Sequence, residues 1–157
     1  MRRRVLIPLL AITTTTIAAP ASLAGSSTEP TAACRVGLRA AAGPHAVGFH
    51  ARCCYELRSL KIKPDSKLTG IRERVKITGS ADPEDAFACS RASRNVVDCA
   101  GSAGRGARIE GRFEVRGPAC GISANATVWG GVDCDGGDAC IEIAYIGAFG
   151  DLRPRGC

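Results

Sequence analysis

The cysteines constrain this chain more than any other feature. There are nine in 157 residues, with only one Trp, two Tyr and four Phe to fill a core. In a small exported domain, such a count is typical of a disulfide framework. Disulfides worth about 2–4 kcal/mol each would supply a large share of a net stability of about 5–15 kcal/mol. Because nine is odd, at least one cysteine is free or bonded to another molecule.

The N-terminus indicates export. Three arginines follow Met1, the apolar run Val5–Ile12 comes next, and small residues lie beyond it. This is the pattern of a secretory signal peptide, which we place at residues 1–24 and expect to be cleaved after Ala24 or Ala21. The apolar run is too short to span a bilayer, so we predict a secreted protein without a membrane span.

Removal of the signal segment changes the charge balance. Three of the 21 basic residues and none of the 15 acidic residues are lost, so the formal net charge falls from +6 to +3. A mildly basic chain permits weak attraction to polyanions without requiring nucleic-acid binding.

The rest of the chain divides into three parts. Residues 25–33 form a flexible lead-in, residues 34–57 form a cysteine-containing N-terminal extension without a clear period, and residues 58–157 form a β domain. Short strands separated by turn residues predict an all-β sandwich. The predicted strands cover residues 57–62, 71–77, 107–116, 123–129 and 140–146.

The strand at residues 107–116 carries the clearest pattern. Ile109, Phe113 and Val115 alternate with charged residues, and Gly111 takes the remaining inward position. Period-2 alternation of this kind predicts a strand with one buried face and one wet face.

Two cysteine pairs are close in sequence. Cys89 and Cys99 are ten residues apart, and Cys134 and Cys140 are six apart, so each pair could clip a hairpin or loop. For the other five, disulfides from Cys53 or Cys54 to Cys34, Cys120 or Cys157 are favoured, with several connectivities open. The terminal position of Cys157 also makes it a candidate for an intermolecular bond.

A resemblance emerges from residues 58–152. The run Trp129-Gly130-Gly131-Val132-Asp133-Cys134, followed by Cys140, resembles a signature of the neocarzinostatin-type apoproteins. The same family's upstream progression matches Pro64, Leu68, Val75, Ile77, Gly79 and Cys89. The ten-residue step from Cys89 to Cys99 agrees with the family's first disulfide.

The resemblance implies a seven-stranded, antiparallel, immunoglobulin-like sandwich with a cleft at one end. In the family this cleft holds a reactive chromophore that cleaves DNA. By the same resemblance, we expect the disulfide Cys89–Cys99 at the cleft floor and the disulfide Cys134–Cys140 at one wall. The residues that the resemblance makes candidates for ligand binding are Cys89, Val97, Cys99 and Tyr145.

The chain also departs from the family. Arg91 stands where the family has an aromatic residue, and the aromatics before the Trp-Gly motif are replaced, for example by Gly121 and Ala124. Ile143 and Tyr145 are bulky enough to fill the cleft. Stacking is the usual means of holding a flat aromatic ligand, and most stacking partners are missing.

Two metal hypotheses have simpler alternatives. Asp133, Asp135 and Asp138 could ligate calcium, but Asp and Gly are also what a tight turn requires. A zinc site from His45, His50, Cys53 and Cys54 is disfavoured because adjacent cysteines fit poorly and an oxidising compartment favours disulfides; the histidines are then exposed loop residues. We expect neither a metal nor another cofactor, apart from a bound apolar chromophore.

Catalytic motifs are lacking, so we expect a non-enzymatic protein. The first hypothesis is a secreted carrier that sequesters an apolar aromatic small molecule and associates weakly with DNA. The alternative is a secreted immunoglobulin-like module that binds a protein or cell surface, with its cleft filled. A third is a toxin or inhibitor that presents the arginine-rich stretch from Arg91 to Arg108.

Overall fold

The computed structural model describes residues 34–131 and 143–157. These contain eleven strands and a short 3₁₀ helix at Ala119–Gly121. The strands are β1 (Cys34–Ala40), β2 (Ala46–Cys53), β3 (Glu56–Pro64), β4 (Leu68–Ile71), β5 (Lys76–Thr78), β6 (Ala86–Ser93), β7 (Val96–Ala103), β8 (Arg108–Val115), β9 (Ala124–Gly131), β10 (Ile143–Leu152) and β11 (Pro154–Arg155). The predicted signal peptide and lead-in lie outside the described residues.

Two sheets form a sandwich, which confirms the all-β prediction. The six-stranded sheet has the order β11-β1-β2-β8-β4, and β5 also pairs with β8. The five-stranded sheet has the order β10-β9-β3-β7-β6. The described strands exceed the seven predicted, and the pairing of β1 with β11 is parallel rather than antiparallel.

The predicted N-terminal extension is part of the sandwich. Strand β2 pairs with β1 on one side and with β8 on the other, so it lies inside the six-stranded sheet. Val47, Phe49 and Ala51 are fully buried on its inner side. The sequence conceals this strand because the small residues Gly48 and Ala51 weaken the period-2 contrast between its faces.

The core lies between the sheets. Leu60, Ile62, Val97 and Val128 of the five-stranded sheet and Phe113 of the six-stranded sheet have no exposed surface. Such burial, at about 25 cal/mol per Å² of apolar surface, is the main stabilising contribution in a domain of this kind.

The strand predicted at residues 71–77 is divided between β4 and β5. Its expected inner face persists nevertheless, because Ile71, Val75 and Ile77 all pack against the core while partly exposed. The intervening backbone leaves the sheet and bridges to the other one, where Arg74 pairs with Ala88.

Three disulfides are formed among the described residues. Cys34–Cys53 joins β1 to β2, Cys89–Cys99 joins β6 to β7, and Cys120–Cys157 joins the 3₁₀ helix to the C-terminus. Cys157 is therefore bonded within the chain. Cys54 is free and exposed, whereas the predicted Cys134–Cys140 pair lies outside the described residues.

Candidate anion-binding site

Three of the four residues predicted to bind a ligand are buried between the sheets. Val97 and Cys99 have no exposed surface, and Cys89 is 3% exposed. Cys89 and Cys99 lie directly opposite each other on the hairpin of β6 and β7, with both side chains among the buried residues between the sheets. These three residues therefore have almost no accessible surface, and their role as ligand-binding residues stays a prediction.

Tyr145 lies on the outside of the sandwich. It is directly opposite Trp129 and 54% exposed, and the two rings meet edge to face at 6.0 Å. The Nζ atom of Lys61 lies 5.4 Å from the Trp129 ring centroid. The neighbouring residue Ile146 takes the buried position. Tyr145 thus lies on an exposed outer surface of the described sandwich, and the side chain of Ile143 lies outside what the structure describes.

Two of the four residues of the zinc hypothesis have other partners. Cys53 is in a disulfide, and Nδ1 of His45 lies 2.6 Å from the carbonyl oxygen of Gly117. Within residues 34–131 and 143–157, no group of three His, Cys, Asp or Glu side chains is placed to hold a metal ion. The aspartates of the calcium hypothesis lie outside those ranges.

The outer side of the six-stranded sheet has an unusual charge arrangement. Arg35 of β1 lies directly opposite Arg52 of β2, and Arg52 lies directly opposite Arg108 of β8. Three arginines therefore form one row across three neighbouring strands. Directly opposed like charges destabilise a sheet, so this row carries an electrostatic cost in the absence of an anion.

A second row increases the positive charge of the same side. In this row, Gly48 of β2 lies opposite Arg39 of β1 on one side and Arg112 of β8 on the other. Arg155 of β11 is paired with Arg39 in the register of the parallel strands β1 and β11. We call the outer side that carries these residues the arginine face. It is defined by Arg35, Arg39, Arg52, Arg108, Arg112 and Arg155, together with His50.

Carboxylates neutralise only part of this face. Glu110 lies 3.7 Å from Arg39 and 2.9 Å from Nε of Arg108, so one carboxylate serves two arginines. Arg35 and Arg155 form no ion pair with any residue that the structure describes. Two of the arginines are thus free to take an external anion.

A recess opens within the arginine face, around His50. Its volume is about 680 Å³, within the range of small-ligand sites. Five arginines contribute to its lining alongside one aspartate, and apolar surface comes from the edge where β10 leads into β11. The lining includes Arg35, Arg52, Arg108, Arg153, Arg155, Asp151, Val36, Phe149 and Leu152. We call this cavity the His50 recess.

The position of His50 depends on a glycine. Gly37 lies directly opposite His50 on β1, and a Cβ atom at Gly37 would be 2.5 Å from the ring atom Cε1. The ring therefore lies over the backbone of β1. Its Nδ1 atom is buried and makes no hydrogen bond within the described part of the chain. Such an unsatisfied polar atom is uncommon in a native structure.

Burial and nearby positive charge favour the neutral form of His50. Burial lowers the pKa of His50 from 6.5, and the positive charge of Arg108 lowers it further. Arg39 and Arg155 act in the same direction, whereas Glu110 opposes them. Both burial and nearby positive charge disfavour the imidazolium form.

A second recess adjoins the first on the same side of the sheet. Its volume is about 470 Å³, and its lining includes Arg39, Arg72, Arg74, Lys76, Arg112 and a single carboxylate, Glu110. The basic surface therefore extends beyond the His50 recess toward β5. It suits an elongated anionic partner better than an isolated ion.

The sequence carries a partial signal for this site. Arg35-Gly37-Arg39 and Gly48-His50-Arg52 alternate with apolar residues, which is the pattern of two strands with a basic outer side. Only the pairing of the strands in the sheet shows that the arginines of β1, β2 and β8 lie opposite one another.

The fold and this surface define an all-β sandwich protein with a strongly basic sheet face. Comparison with family models and with curated protein sequences finds no match to the chain. The neocarzinostatin-type resemblance therefore stays a prediction from the residue pattern.

Proposed function

We propose that this chain is a secreted, non-enzymatic interaction domain that binds an anionic polysaccharide of a cell surface through its arginine face. The observation that carries the proposal is the opposed row Arg35–Arg52–Arg108. Three adjacent like charges lower the free energy of unfolding, and a bound anion that neutralises them removes this repulsion.

Secretion rests on two observations. The first 24 residues have the pattern of a signal peptide, and the described residues form three disulfides, which persist mainly in oxidising compartments. No helix among the described residues is long and apolar enough to cross a membrane. An exported domain of this kind meets sulfated, phosphorylated or carboxylated polymers at cell surfaces.

The shape of the face favours a flexible polymer over base readout in duplex DNA. Four strands of the sheet, from β11 to β8, present the opposed arginines. With about 4.8 Å between strands, they are wider than the 12 Å major groove. DNA would therefore be held through its phosphates alone, whereas a flexible polysaccharide can follow the face.

The carrier hypothesis lacks a supporting contact among the described residues. Val97 and Cys99 are inaccessible, and Tyr145 lies on the opposite outer surface. Binding of flat aromatic dyes to the purified protein would support the carrier hypothesis. Co-purification of a chromophore with the secreted protein would favour the carrier over the polysaccharide-binding domain.

Binding to immobilised heparin, as a representative sulfated polysaccharide, tests the proposal. The double variant Arg35→Gln/Arg155→Gln removes two charges that have no internal partner, so folding should be preserved. The matched control is Arg91→Gln/Arg94→Gln, which removes the same charge from exposed positions on and beside the five-stranded sheet.

We expect the first double variant to elute from heparin at clearly lower salt than the wild type. The control should elute close to the wild type. Equal loss in both variants would mean that only net charge matters and would contradict the assignment of the face. Preferential binding of duplex DNA at equal ionic strength would assign the face to nucleic acid instead.

A further inference from the structure

We infer that the His50 recess binds one phosphate or sulfate ester group of the anionic ligand, and that His50 takes up a proton when the ester enters. This inference deepens the proposed function and rests on it, because it names the chemical group that the arginine face selects. Because His50 takes up a proton on binding, the ester should bind more strongly in mildly acidic conditions.

The lining matches an ester rather than a bare ion. Arg35, Arg52, Arg108 and Arg155 surround the cavity, whereas Val36, Phe149 and Leu152 supply apolar surface to it. A volume of about 680 Å³ exceeds that of a tetrahedral oxyanion and accommodates the ring that carries it. Guanidinium groups match the oxygens of phosphate and sulfate through paired, charge-assisted hydrogen bonds.

Donor groups are still available in the recess. Arg52 donates its Nε–H to the carbonyl oxygen of Gly106 at 3.0 Å, and Arg108 donates its Nε–H to Glu110 at 2.9 Å. Both bonds use Nε, and the Nη groups of these arginines make no hydrogen bond to the described residues. The two contacts orient each guanidinium and leave its outer edge for a ligand.

His50 gains a charge and a second donor when it is protonated. Neutral imidazole has one N–H, and imidazolium has two, so protonation makes this ring in the lining of the recess more favourable to an anion. The nearby arginines oppose that proton, and the negative charge of an entering ester offsets part of their positive field. The proton therefore binds together with the ester.

Charged groups on every neighbouring element bear on this titration. Most of these groups are positively charged, and two are carboxylates. The groups are Arg35 and Arg39 on β1, Arg52 on β2, Arg108 and Glu110 on β8, Asp151 on β10, Arg153 just after it, and Arg155 on β11. Asp151 accepts hydrogen bonds from Ser123 and Arg153, so its charge is already partly compensated.

Calorimetric titration with phenyl phosphate, phenyl sulfate and benzoate tests the inference. Phenyl sulfate is the decisive probe for pH dependence because it does not titrate in this range, whereas a phosphate ester has its own pKa near 6. We expect the two esters to bind and benzoate to bind at least about tenfold more weakly. Phenyl sulfate affinity should rise between pH 8 and pH 5.5, with proton uptake detected by comparing buffers of different ionisation enthalpy.

Two variants and one control separate the contribution of charge from that of the proton. Arg35→Gln should weaken both esters by about tenfold at every pH, whereas Arg91→Gln should leave them unchanged. His50→Gln should bind phenyl sulfate about as well as wild type at pH 8 but lose the rise toward pH 5.5. An unchanged pH dependence in His50→Gln would overturn the role of His50.

The outcomes distinguish this inference from the proposed function. Heparin binding without ester binding would leave the polysaccharide-binding face intact and overturn the His50 recess. Ester binding without heparin binding would retain the recess and overturn the polysaccharide proposal. Failure of both would overturn both.

Discussion

Gly37 and His50 lie directly opposite each other on β1 and β2, and the absence of a side chain at Gly37 is what lets the imidazole lie across the sheet. A Cβ atom at residue 37 would be 2.5 Å from Cε1 and 2.9 Å from Nε2 of the ring. Both distances are well below ordinary van der Waals contact. The shape of the His50 recess thus depends on the absence of a side chain at Gly37, which itself contributes to the lining.

Replacement of this glycine should separate binding from stability. In Gly37→Ala the ring can rotate outward, so we expect a stability loss under about 1 kcal/mol together with a clear loss of phenyl sulfate affinity. The displaced ring should be visible in the imidazole NMR signals of His50. Gly121→Ala is the matched control, because its added Cβ would meet only Cγ of Pro118 at 3.5 Å. Unchanged imidazole signals in Gly37→Ala would contradict this packing.

The sequence predicted the sandwich where large apolar residues alternate with charge. Ile109, Phe113 and Val115 are all buried as expected, because bulky side chains at every second position leave no alternative face. The same reasoning missed β1 and β2, where Gly37, Gly48 and other small residues weaken the contrast between the two faces. Those glycines leave room for the side chains of His50 and Arg39. The small residues that obscure the strand pattern therefore also shape the site.

The candidate site could not be predicted from local sequence. Arg35, Arg52 and Arg108 are far apart in the chain, and their approach depends on the register of two long-range strand pairings. The resemblance predicted a site at Cys89 and Cys99, on the other sheet. Their disulfide was predicted correctly, but whether a residue faces a cleft or a filled core depends on side chains from both sheets.

Gly111 should be intolerant of any side chain. It lies opposite the fully buried Phe49, whose ring occupies the space that a Cβ at residue 111 would need. Phe49 is also stacked with Phe113 at 6.3 Å between ring centroids, so it has little room to move. We expect Gly111→Ala to lower the free energy of unfolding by about 1–3 kcal/mol, measured by guanidinium denaturation.

A double-mutant cycle identifies the cause of that loss. Phe49→Leu shortens the side chain that collides, so Gly111→Ala/Phe49→Leu should be less destabilised than the sum of the two single variants. Additive losses would show that the collision with Phe49 is not the source of the instability.

The adjacent cysteines should behave differently when replaced. Cys53 is buried in a disulfide with Cys34, whereas Cys54 is exposed and free. Cys53→Ser should cost about 2–4 kcal/mol of stability, and Cys54→Ser should cost little. Iodoacetamide should label native wild-type protein at Cys54 and leave Cys54→Ser unlabelled among the described cysteines. A Cys34–Cys54 bond in wild type, seen by non-reducing peptide mapping, would contradict the pairing.

Asp85 should contribute stability that depends on pH. It accepts hydrogen bonds from the hydroxyl of Ser80, from the backbone N–H of Gly104 at 2.6 Å and from the hydroxyl of Ser102 at 3.0 Å. These hydrogen bonds, that of Ser80 foremost, lower the pKa of Asp85 below 3.8. Because the folded-state pKa is the lower one, this stability is fully present above about pH 4 and is lost as the pH falls through the folded-state value.

Asp85→Asn tests this dependence against a matched exposed carboxylate. The variant should have a lower melting temperature than wild type at pH 6, and the difference should narrow as the pH is reduced to 2, because protonated wild-type Asp85 no longer accepts charge-assisted hydrogen bonds. Asp65→Asn is the control, since the Asp65 side chain makes no hydrogen bond to the described residues. Ser80→Ala and Ser102→Ala should each reproduce part of the loss at pH 6, with the larger effect at Ser80. A difference between Asp85→Asn and wild type that stays constant from pH 6 to pH 2 would mean that the carboxylate acts through shape rather than charge.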